Sequence, residues 1–414
     1  MSSRFTRIVC LCAATVCALE SASDSPTITT LDLSPASTRM TIAGISDNGR
    51  YVVGTMQFPH GPAAFRWSED NGLELIGTLL DGPTTAAAVS ADGSTVVGQV
   101  GSSASTSPFV WRSSTGIVII PKPPGATRAT ILGVNHDGSL GVGTAVVASR
   151  NQAFSWASGS GSSLFLSALS PIASTATAIC DDGSSIVGAV ATSSSSYTYR
   201  KRGDDIESIT YQGTPILLLA NCTSMDGRYI AGHNYSDSLL WASDEADPLL
   251  ACPNGFGPSY PYAVTDDGST VYGFMTGPLD SMHAYIWQTG VGMSELRVYL
   301  ESLGTHVSGW DFHSVNGVSA DGTSIAGSGR YAGRNVGFVI RGLPSTRVPC
   351  VADYNGEGDS GDILDFLDFI ADVSACEQHA LPCGEFGNPD LNADTIVDIL
   401  DFLDFMDAFA TGCE

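Results

Sequence analysis

The C-terminal segment 350–414 carries carboxylates at a spacing that could bind metal ions. It contains 16 Asp and Glu residues and no Lys or Arg. From Asp390 to Asp401, acids or amides occupy positions 1, 3, 5, 9 and 12 of a twelve-residue loop. Oxygen ligands at those positions, with a backbone carbonyl at position 7, here Ile396, can surround one Ca²⁺ ion. The sequence therefore predicts a calcium site in this loop.

A similar loop lies earlier in the same segment, and each loop leads into an apolar stretch. The earlier loop begins Asp353-Tyr-Asn355-Gly-Glu357-Gly358, has one extra residue within 359–361, and leads into Asp362-Ile-Leu-Asp365-Phe-Leu-Asp-Phe. The later loop has Thr395 where Gly usually makes the sharp turn. The apolar residues after the later loop fall on one helical stripe: Ile399, Leu400, Phe402, Leu403, Phe405 and Met406. Both copies are interpreted as a loop followed by a helix, and the two helices can pack face to face.

These paired segments resemble a type I dockerin, and more specifically a bacterial C-terminal variant whose chain ends in Gly-Cys, here Gly412-Cys413. The resemblance implies two bound Ca²⁺ ions and a cohesin-like or surface-anchoring partner. The implied calcium ligands are Asp353, Asn355, Glu357, Asp362 and Asp365 for the first ion, and Asp390, Asn392, Asp394, Asp398 and Asp401 for the second.

The distribution of charge marks a domain boundary. The chain has 43 acids and 18 bases, a net charge of −25, of which the segment 350–414 holds −16 and the rest −9. Pro344 and Pro349 identify 344–349 as a linker. The acidity argues against nucleic-acid binding, because phosphate contacts need a basic patch. With only 15% charged residues and 46 glycines, the composition favours many short strands and turns.

A unit of about 44 residues recurs seven times before the linker. In each copy an apolar residue, a Ser or similar residue and one variable residue precede Asp-Gly or Asn-Gly, and a β-branched run ending in Gly follows. Such a dipeptide between apolar runs favours a tight hairpin, because Gly accepts positive φ and Asp or Asn tolerates it. The turn glycines are Gly49, Gly93, Gly138, Gly183, Gly227, Gly268 and Gly322, at spacings of 44, 45, 45, 44, 41 and 54.

Each unit also contains an aromatic third segment, such as Ala64-Phe-Arg-Trp67, and most contain a fourth alternating segment. Four short strands per unit are typical of one blade of a β-propeller. We therefore predict an all-β seven-bladed β-propeller over 27–343, followed by a small α-helical dockerin-like domain with paired EF-hand-type loops. The alternating segment 27–33 supplies the missing fourth strand of the last blade. The long spacing before Gly322 holds a short helix over 294–303, and the Trp residues are interpreted as wedges between blades.

The repeats from about 42 to 343 resemble the HAF-type extracellular repeat family of bacteria. The segments most similar to that family's terminal repeat are Ser308-Gly-Trp310, Val318-Ser-Ala-Asp-Gly322, Ile325-Ala-Gly327 and Gly337-Phe-Val-Ile340. The resemblance implies an exported, propeller-like protein and supplies no catalytic residues.

The first 23 residues have the pattern of a secretory signal peptide. Arg4 and Arg7 precede an apolar run over 8–19, and small residues follow at 21–23. We expect an exported, extracellular or cell-surface protein, and no later segment is apolar enough to span a membrane. Export permits disulfides. The expected pairs are Cys350–Cys413 and Cys376–Cys383, whereas the pairing of Cys180, Cys222 and Cys252 stays open.

The sequence gives little sign of catalysis. The seven histidines show no metal-binding spacing, and neither a Gly-x-Ser-x-Gly elbow nor a P-loop occurs. We interpret the repeated Asp residues as caps of hairpin turns and assign no catalytic or cofactor-binding residues. The favoured function is a non-enzymatic exported propeller that binds a glycan or protein ligand, attached through the dockerin-like module. The alternative is a secreted polysaccharide-active enzyme carried by that module. A funnel with two carboxylates about 5–10 Å apart would favour the enzyme.

Overall fold

The computed structural model describes residues 25–345, apart from the gaps that follow: 32–36, 78–81, 103–104, 161, 167–171, 194–195, 212–213, 216–218, 234–237, 243–248, 251–255 and 279–280. The predicted signal peptide, the ten predicted calcium ligands, the predicted dockerin-like helices and both expected disulfides therefore lie outside the described residues. Cys252 also lies outside them, and the described cysteines Cys180 and Cys222 are free thiols.

Within the described residues, the strands form seven four-stranded antiparallel sheets and one small hairpin. After β1 (Thr27–Leu31), which belongs to blade 7, blade 1 contains β2 (Arg39–Ile45), β3 (Tyr51–Phe58), β4 (Gly61–Ser68) and β5 (Gly72–Ile76), blade 2 contains β6 (Thr84–Val89), β7 (Thr95–Val100), β8 (Ser107–Arg112) and β9 (Gly116–Ile119), and blade 3 contains β10 (Arg128–Val134), β11 (Leu140–Val147), β12 (Arg150–Ala157) and β13 (Ser162–Phe165). Blade 4 contains β14 (Ala173–Ile179), β15 (Ser185–Ala191), β16 (Ser196–Arg202) and β17 (Asp205–Ser208), and the small hairpin of β18 (Thr210–Tyr211) and β19 (Thr214–Pro215) follows it. Blade 5 contains β20 (Leu219–Thr223), β21 (Tyr229–His233), β22 (Ser238–Ala242) and β23 (Leu249–Leu250), blade 6 contains β24 (Ser259–Val264), β25 (Thr270–Thr276), β26 (Met282–Gln288) and β27 (Gly292–Glu295), and blade 7 contains β28 (Trp310–Val318), β29 (Ser324–Tyr331) and β30 (Arg334–Arg341) in addition to β1. The prediction of a seven-bladed propeller is confirmed.

Both ends of the repeat region meet in blade 7. Strand β1 pairs antiparallel with β30, from Thr27 opposite Arg341 to Leu31 opposite Gly337. The first strands of neighbouring blades contact one another around the whole circle, from β2 through β28 and back to β2. The ring is therefore closed, and the first strand of each blade lies nearest its axis.

The hairpin between the first and second strands is held by its own side chains. In blade 2, Ser90 Oγ donates to Asp92 Oδ1 at 2.8 Å and accepts the amide of Thr95 at 3.0 Å. Asp92 Oδ1 also accepts the amide of Ser94 at 2.8 Å. The turn Asp thus caps the hairpin, as the sequence predicts.

The turn is longer than the tight two-residue hairpin that Asp-Gly favours. The amide of Ser90 donates to the carbonyl of Thr95, so four residues lie between the two. Gly93 has φ of +74°, whereas Asp92 does not adopt positive φ. The tight two-residue turn does not form, because the Asp92 carboxylate accepts hydrogen bonds from inside an ordinary turn conformation and Gly93 alone makes the left-handed step.

In four blades, the glycine that ends the β-branched run allows the close approach of three strands. In blade 1, a Cβ on Gly54 would lie 2.2 Å from the carbonyl oxygen of Thr41 and 2.8 Å from the Phe65 ring. The first strand is bulged opposite this site, between Ile42 and Gly44. A bulge increases the local twist of a strand pair, and a bulge occurs in the first strand of every blade.

Arginines from the third strands fasten each of four blades to the hairpin of the next. Arg66 donates to the carbonyl of Gly93 at 2.8 Å, and its guanidinium lies 4.6 Å from the Trp111 ring centroid. The equivalent donations are from Arg112 to Gly138, from Arg200 to Gly227 and from Arg341 to Gly49. The tryptophans are buried, as predicted for wedges between blades. These contacts fix the hairpins against one another.

The insertion before blade 7 forms the helix α1 (Leu296–Ser302), within the predicted range 294–303. Its Leu296 and Leu300 are fully buried in a cluster that also contains Trp310, Phe312 and Phe338. In the described part of the chain, no helix is long and apolar enough to cross a membrane.

Candidate metal centre at the propeller axis

The seven hairpins meet around the axis of the ring. In each hairpin one residue lies between the capping residue and the turn Asp or Asn, and we call this the axial position. The axial residues, in blade order, are Asp47, Ala91, His136, Asp181, Met225, Asp266 and Ala320. Their backbones join neighbouring blades: the Ala91 amide donates to the His136 carbonyl at 3.0 Å and the His136 amide to the Asp181 carbonyl at 3.0 Å.

The same pattern continues on both sides of these blades. The amide of Asp181 donates to the carbonyl of Met225 at 2.8 Å, and the amide of Ala320 donates to the carbonyl of Asp47 at 2.8 Å. Side chains at axial positions of different blades are therefore held close together, although about 45 residues or more separate them in the sequence.

Three axial side chains converge on one point. One ligand atom from each of Asp47, His136 and Asp181 lies within 4.8 Å of the other two. His136 Nδ1 is 3.3 Å from Asp47 Oδ2 and 3.4 Å from Asp181 Oδ2. Blade 2 lies between the blades of Asp47 and His136, and its axial residue is Ala91. Because the Ala91 side chain is a single methyl group, it leaves room for the Asp47 side chain to extend past blade 2 to His136.

The convergence leaves one carboxylate oxygen without a hydrogen bond. His136 Nδ1 is positioned to hydrogen-bond with Asp181 Oδ2. Asp47 Oδ2 is fully enclosed and has no hydrogen-bond partner, although the same nitrogen is 3.3 Å away. One ring nitrogen carries at most one proton, so it cannot satisfy both carboxylates at once.

The surroundings raise the pKa of both carboxyl groups. Burial, followed by the negative charge of Asp47, raises the pKa of Asp181 to about 7, against the opposing effect of His136. Burial is also the largest cause of the raised pKa of Asp47, which His136 and a hydrogen bond with Asp181 lower and the charge of Asp266 raises slightly further. The axis therefore has an excess of negative charge that a proton or a cation would relieve.

The donor set has the composition of a transition-metal site. Imidazole nitrogen together with carboxylate oxygen suits Zn²⁺ and related divalent ions, whereas Ca²⁺ takes six to eight oxygen ligands. The exposed fractions of the three side chains are 25% for Asp47, 60% for His136 and 32% for Asp181, so the cluster is open to solvent on one side.

Sequence patterns did not reveal this cluster. His136 shows no local metal-binding spacing, and Asp47 and Asp181 lie in turns where the neighbouring Asn48 and Asp182 act as caps. The signal is visible only when the seven repeats are aligned and the axial position is compared across blades. The ten predicted calcium ligands lie outside the described residues.

No family model and no curated protein matches the chain. Solved structures are similar to it, among them the β-propeller domain of the Trilobed protease from Pyrococcus furiosus, at 12% identity and TM-score 0.52 over 75% of this chain and 100% of that one. Oligogalacturonate lyase from Vibrio parahaemolyticus is similar at 9% identity and TM-score 0.51, over 77% of this chain and 97% of that one. TolB from Acinetobacter baumannii gives 15% identity and TM-score 0.45, with 59% of this chain covering 62% of TolB, which is less than two thirds of its length. The likeness to the first two structures shows the β-propeller fold.

Proposed function

We propose that this chain is an exported binding protein whose propeller binds a ligand at the axis. The binding site is the solvent-open side of the cluster of axial side chains, which we call the axial mouth. The observation that carries the proposal is the convergence of Asp47, His136 and Asp181 from three separate blades. Carboxylate oxygens accept hydrogen bonds from hydroxyl groups, so we assign a hydroxyl-rich glycan as the ligand class. The N-terminal signal pattern supports export.

The attachment of this protein is assigned to the C-terminal segment. The repeated acidic loops over 350–414 support a calcium-binding dockerin-like module that docks to a cohesin-like or surface-anchoring partner. Because closely spaced carboxylates repel one another without the ion, calcium should be required for the module to fold and to bind.

Ligand binding is tested with insoluble cell-wall polysaccharides and the full chain. We expect the wild-type chain to be retained and the double variant Asp47→Asn/Asp181→Asn to lose at least about tenfold in retention, because each substitution removes a charged acceptor. The exposed Asp204→Asn is the control. Equal retention of all three proteins would contradict a glycan site at the axis, as would retention only on protein-coated beads.

Attachment is tested by fractionating producing cells and medium. We expect the full chain to stay with the cells and a chain ending at 345 to appear in the medium. Within the full chain, Asp390→Ala/Asp398→Ala should behave like the truncation, whereas Asp407→Ala, which removes an acid outside the ligand spacing, should not. An unchanged distribution of the truncated chain would refute the attachment role.

A polysaccharide-active enzyme is the second candidate, because the structure places two carboxylates at one mouth. One carboxylate oxygen of Asp47 and one of Asp181 lie within 4.8 Å of each other, a separation no larger than the roughly 5 Å of retaining glycosidases. The likeness to oligogalacturonate lyase concerns the fold alone and does not choose between the candidates. Release of reducing ends that is abolished by Asp181→Asn, and unaffected by Asp204→Asn, would favour the enzyme.

A further inference from the structure

We propose that Asp47, His136 and Asp181 form a site for a divalent transition-metal ion of the Zn²⁺ class at the propeller axis. The site is separate from the calcium loops assigned to the C-terminal segment, and its existence does not depend on which ligand the propeller binds.

The two distances from His136 match those of a tetrahedral site, and the two carboxylate oxygens lie within 4.8 Å of each other. Ligands that lie about 2.0–2.2 Å from a zinc ion at tetrahedral angles are about 3.3–3.6 Å from one another. His136 Nδ1 lies 3.3 Å from Asp47 Oδ2 and 3.4 Å from Asp181 Oδ2. A metal ion can therefore enter between these atoms with small side-chain rotations.

The enclosed oxygen of Asp47 gives an independent reason for an ion. Asp47 Oδ2 is shielded from water and accepts no hydrogen bond. An unsatisfied buried acceptor destabilises the folded state, and it does so more strongly when it is charged. A metal ion bound to both carboxylates and to the neutral ring would satisfy this oxygen directly, and the ring proton would then lie on Nε2 of His136.

The surroundings of the three ligands suit a metal ion that keeps one coordination position free. Three protein ligands leave the fourth tetrahedral position for water or for a ligand atom, as in zinc sites that act on substrates. Asp266 lies near enough that its negative charge contributes to raising the pKa of both carboxyl groups, so it adds an outer negative charge that favours a cation. The backbone bonds between axial residues hold the three ligands at fixed positions before the ion arrives.

The test is a calorimetric titration of the full chain with Zn²⁺ in saturating Ca²⁺, which keeps the C-terminal loops occupied. We expect one Zn²⁺ per chain, and a loss of at least about 100-fold in affinity for His136→Ala and for Asp181→Asn, because removal of a direct ligand should exceed the 10–100-fold cost of losing an outer partner. The controls are His60→Ala and Asp204→Asn, which remove exposed side chains of the same types and should leave affinity unchanged.

Folding of the variants is checked by their thermal unfolding without Zn²⁺. Asp47→Asn and Asp181→Asn should be no less stable than the wild type, since each removes a repelled carboxylate. A second measurement uses Co²⁺, whose visible absorption distinguishes tetrahedral from octahedral coordination. Absence of Zn²⁺ binding by the wild type, equal affinity in all variants, or an octahedral Co²⁺ spectrum would overturn the proposal.

Discussion

Two adjacent carboxylates in blade 4 experience opposite environments. The pKa of Asp182 is held below its ordinary value, chiefly by the hydrogen bonds from Cys180 Sγ and the Ser184 amide. The pKa of Asp181 is raised to about 7 by burial and by the charge of Asp47. Of these two consecutive residues, Asp182 stabilises its own turn, whereas the carboxylate of Asp181 faces the axis. The repeat fixes the cap in every blade and leaves the axial position free to vary.

The largest expected effect comes from removing a cap. Asp92→Ala removes the acceptor for the Ser90 hydroxyl and for the Ser94 amide. Hydrogen bonds to charged groups contribute about 1.5–3 kcal/mol each when buried, so we expect a loss of about 2 kcal/mol at this partly exposed turn. Urea unfolding at neutral pH measures it. Asp204→Ala, at an exposed turn outside the hairpin set, is the control, and an equal loss there would show that the cap has no special role.

The second effect concerns pH and separates the two kinds of carboxylate. The folded pKa of Asp181 is about 7, above its unfolded value near 4. The folded state therefore holds this proton more tightly, and the associated stability is complete below about pH 4 and is lost as the pH rises to about 7. Burial is the largest single influence on the pKa of Asp92 and raises it, but the hydrogen bonds that this carboxylate accepts together outweigh burial and lower the folded pKa. Asp92 therefore loses stability in the opposite direction, as the pH falls through its folded pKa.

Unfolding between pH 4.5 and 8, without added Zn²⁺, tests this contrast. The side chain of Asp181 is 32% exposed, so solvent screening reduces the effect and we expect a change of roughly 1 kcal/mol. Asp181→Asn should flatten the decline toward neutral pH, whereas Asp92→Asn should leave it in place. A decline that persists in Asp181→Asn would remove the distinction between the two positions.

The smallest effect concerns the thiol that takes the place of the capping hydroxyl in blade 4. Cys180 Sγ donates to Asp182 Oδ1 at 3.0 Å and accepts the Ser185 amide at 3.0 Å. A thiol is a weak donor and acceptor, so Cys180→Ser should raise the free energy of unfolding by roughly 0.5 kcal/mol. The reciprocal variant Ser224→Cys should lower it by a similar amount. A stability loss in Cys180→Ser would indicate that packing volume outweighs the hydrogen bonds.

The sequence was sufficient for the features that local pattern encodes and insufficient for those that depend on competing side-chain contacts or on ring closure. The turn glycines, the third-strand aromatics and the helix over 294–303 were predictable because each follows from local pattern and backbone preference. The length of the hairpin was not, because a capping Ser such as Ser90 competes with the two-residue turn that Asp-Gly favours. The carboxylates of Asp47 and Asp181 come together only through ring closure, which local spacing does not encode.

The closure of blade 7 has a consequence for the order of folding. Strand β1 begins at Thr27, yet its partner β30 begins at Arg334, so the first strand of the ring must wait for the last. Contacts of such long sequence separation form late and slowly, because the entropy of bringing the chain ends together is lost before the pairing compensates for it. Until this pair forms, the unpaired edges of β1 and β30 are exposed to other chains. A chain cut before 341 would therefore aggregate, whereas a cut after 345 leaves every described strand of the ring in place.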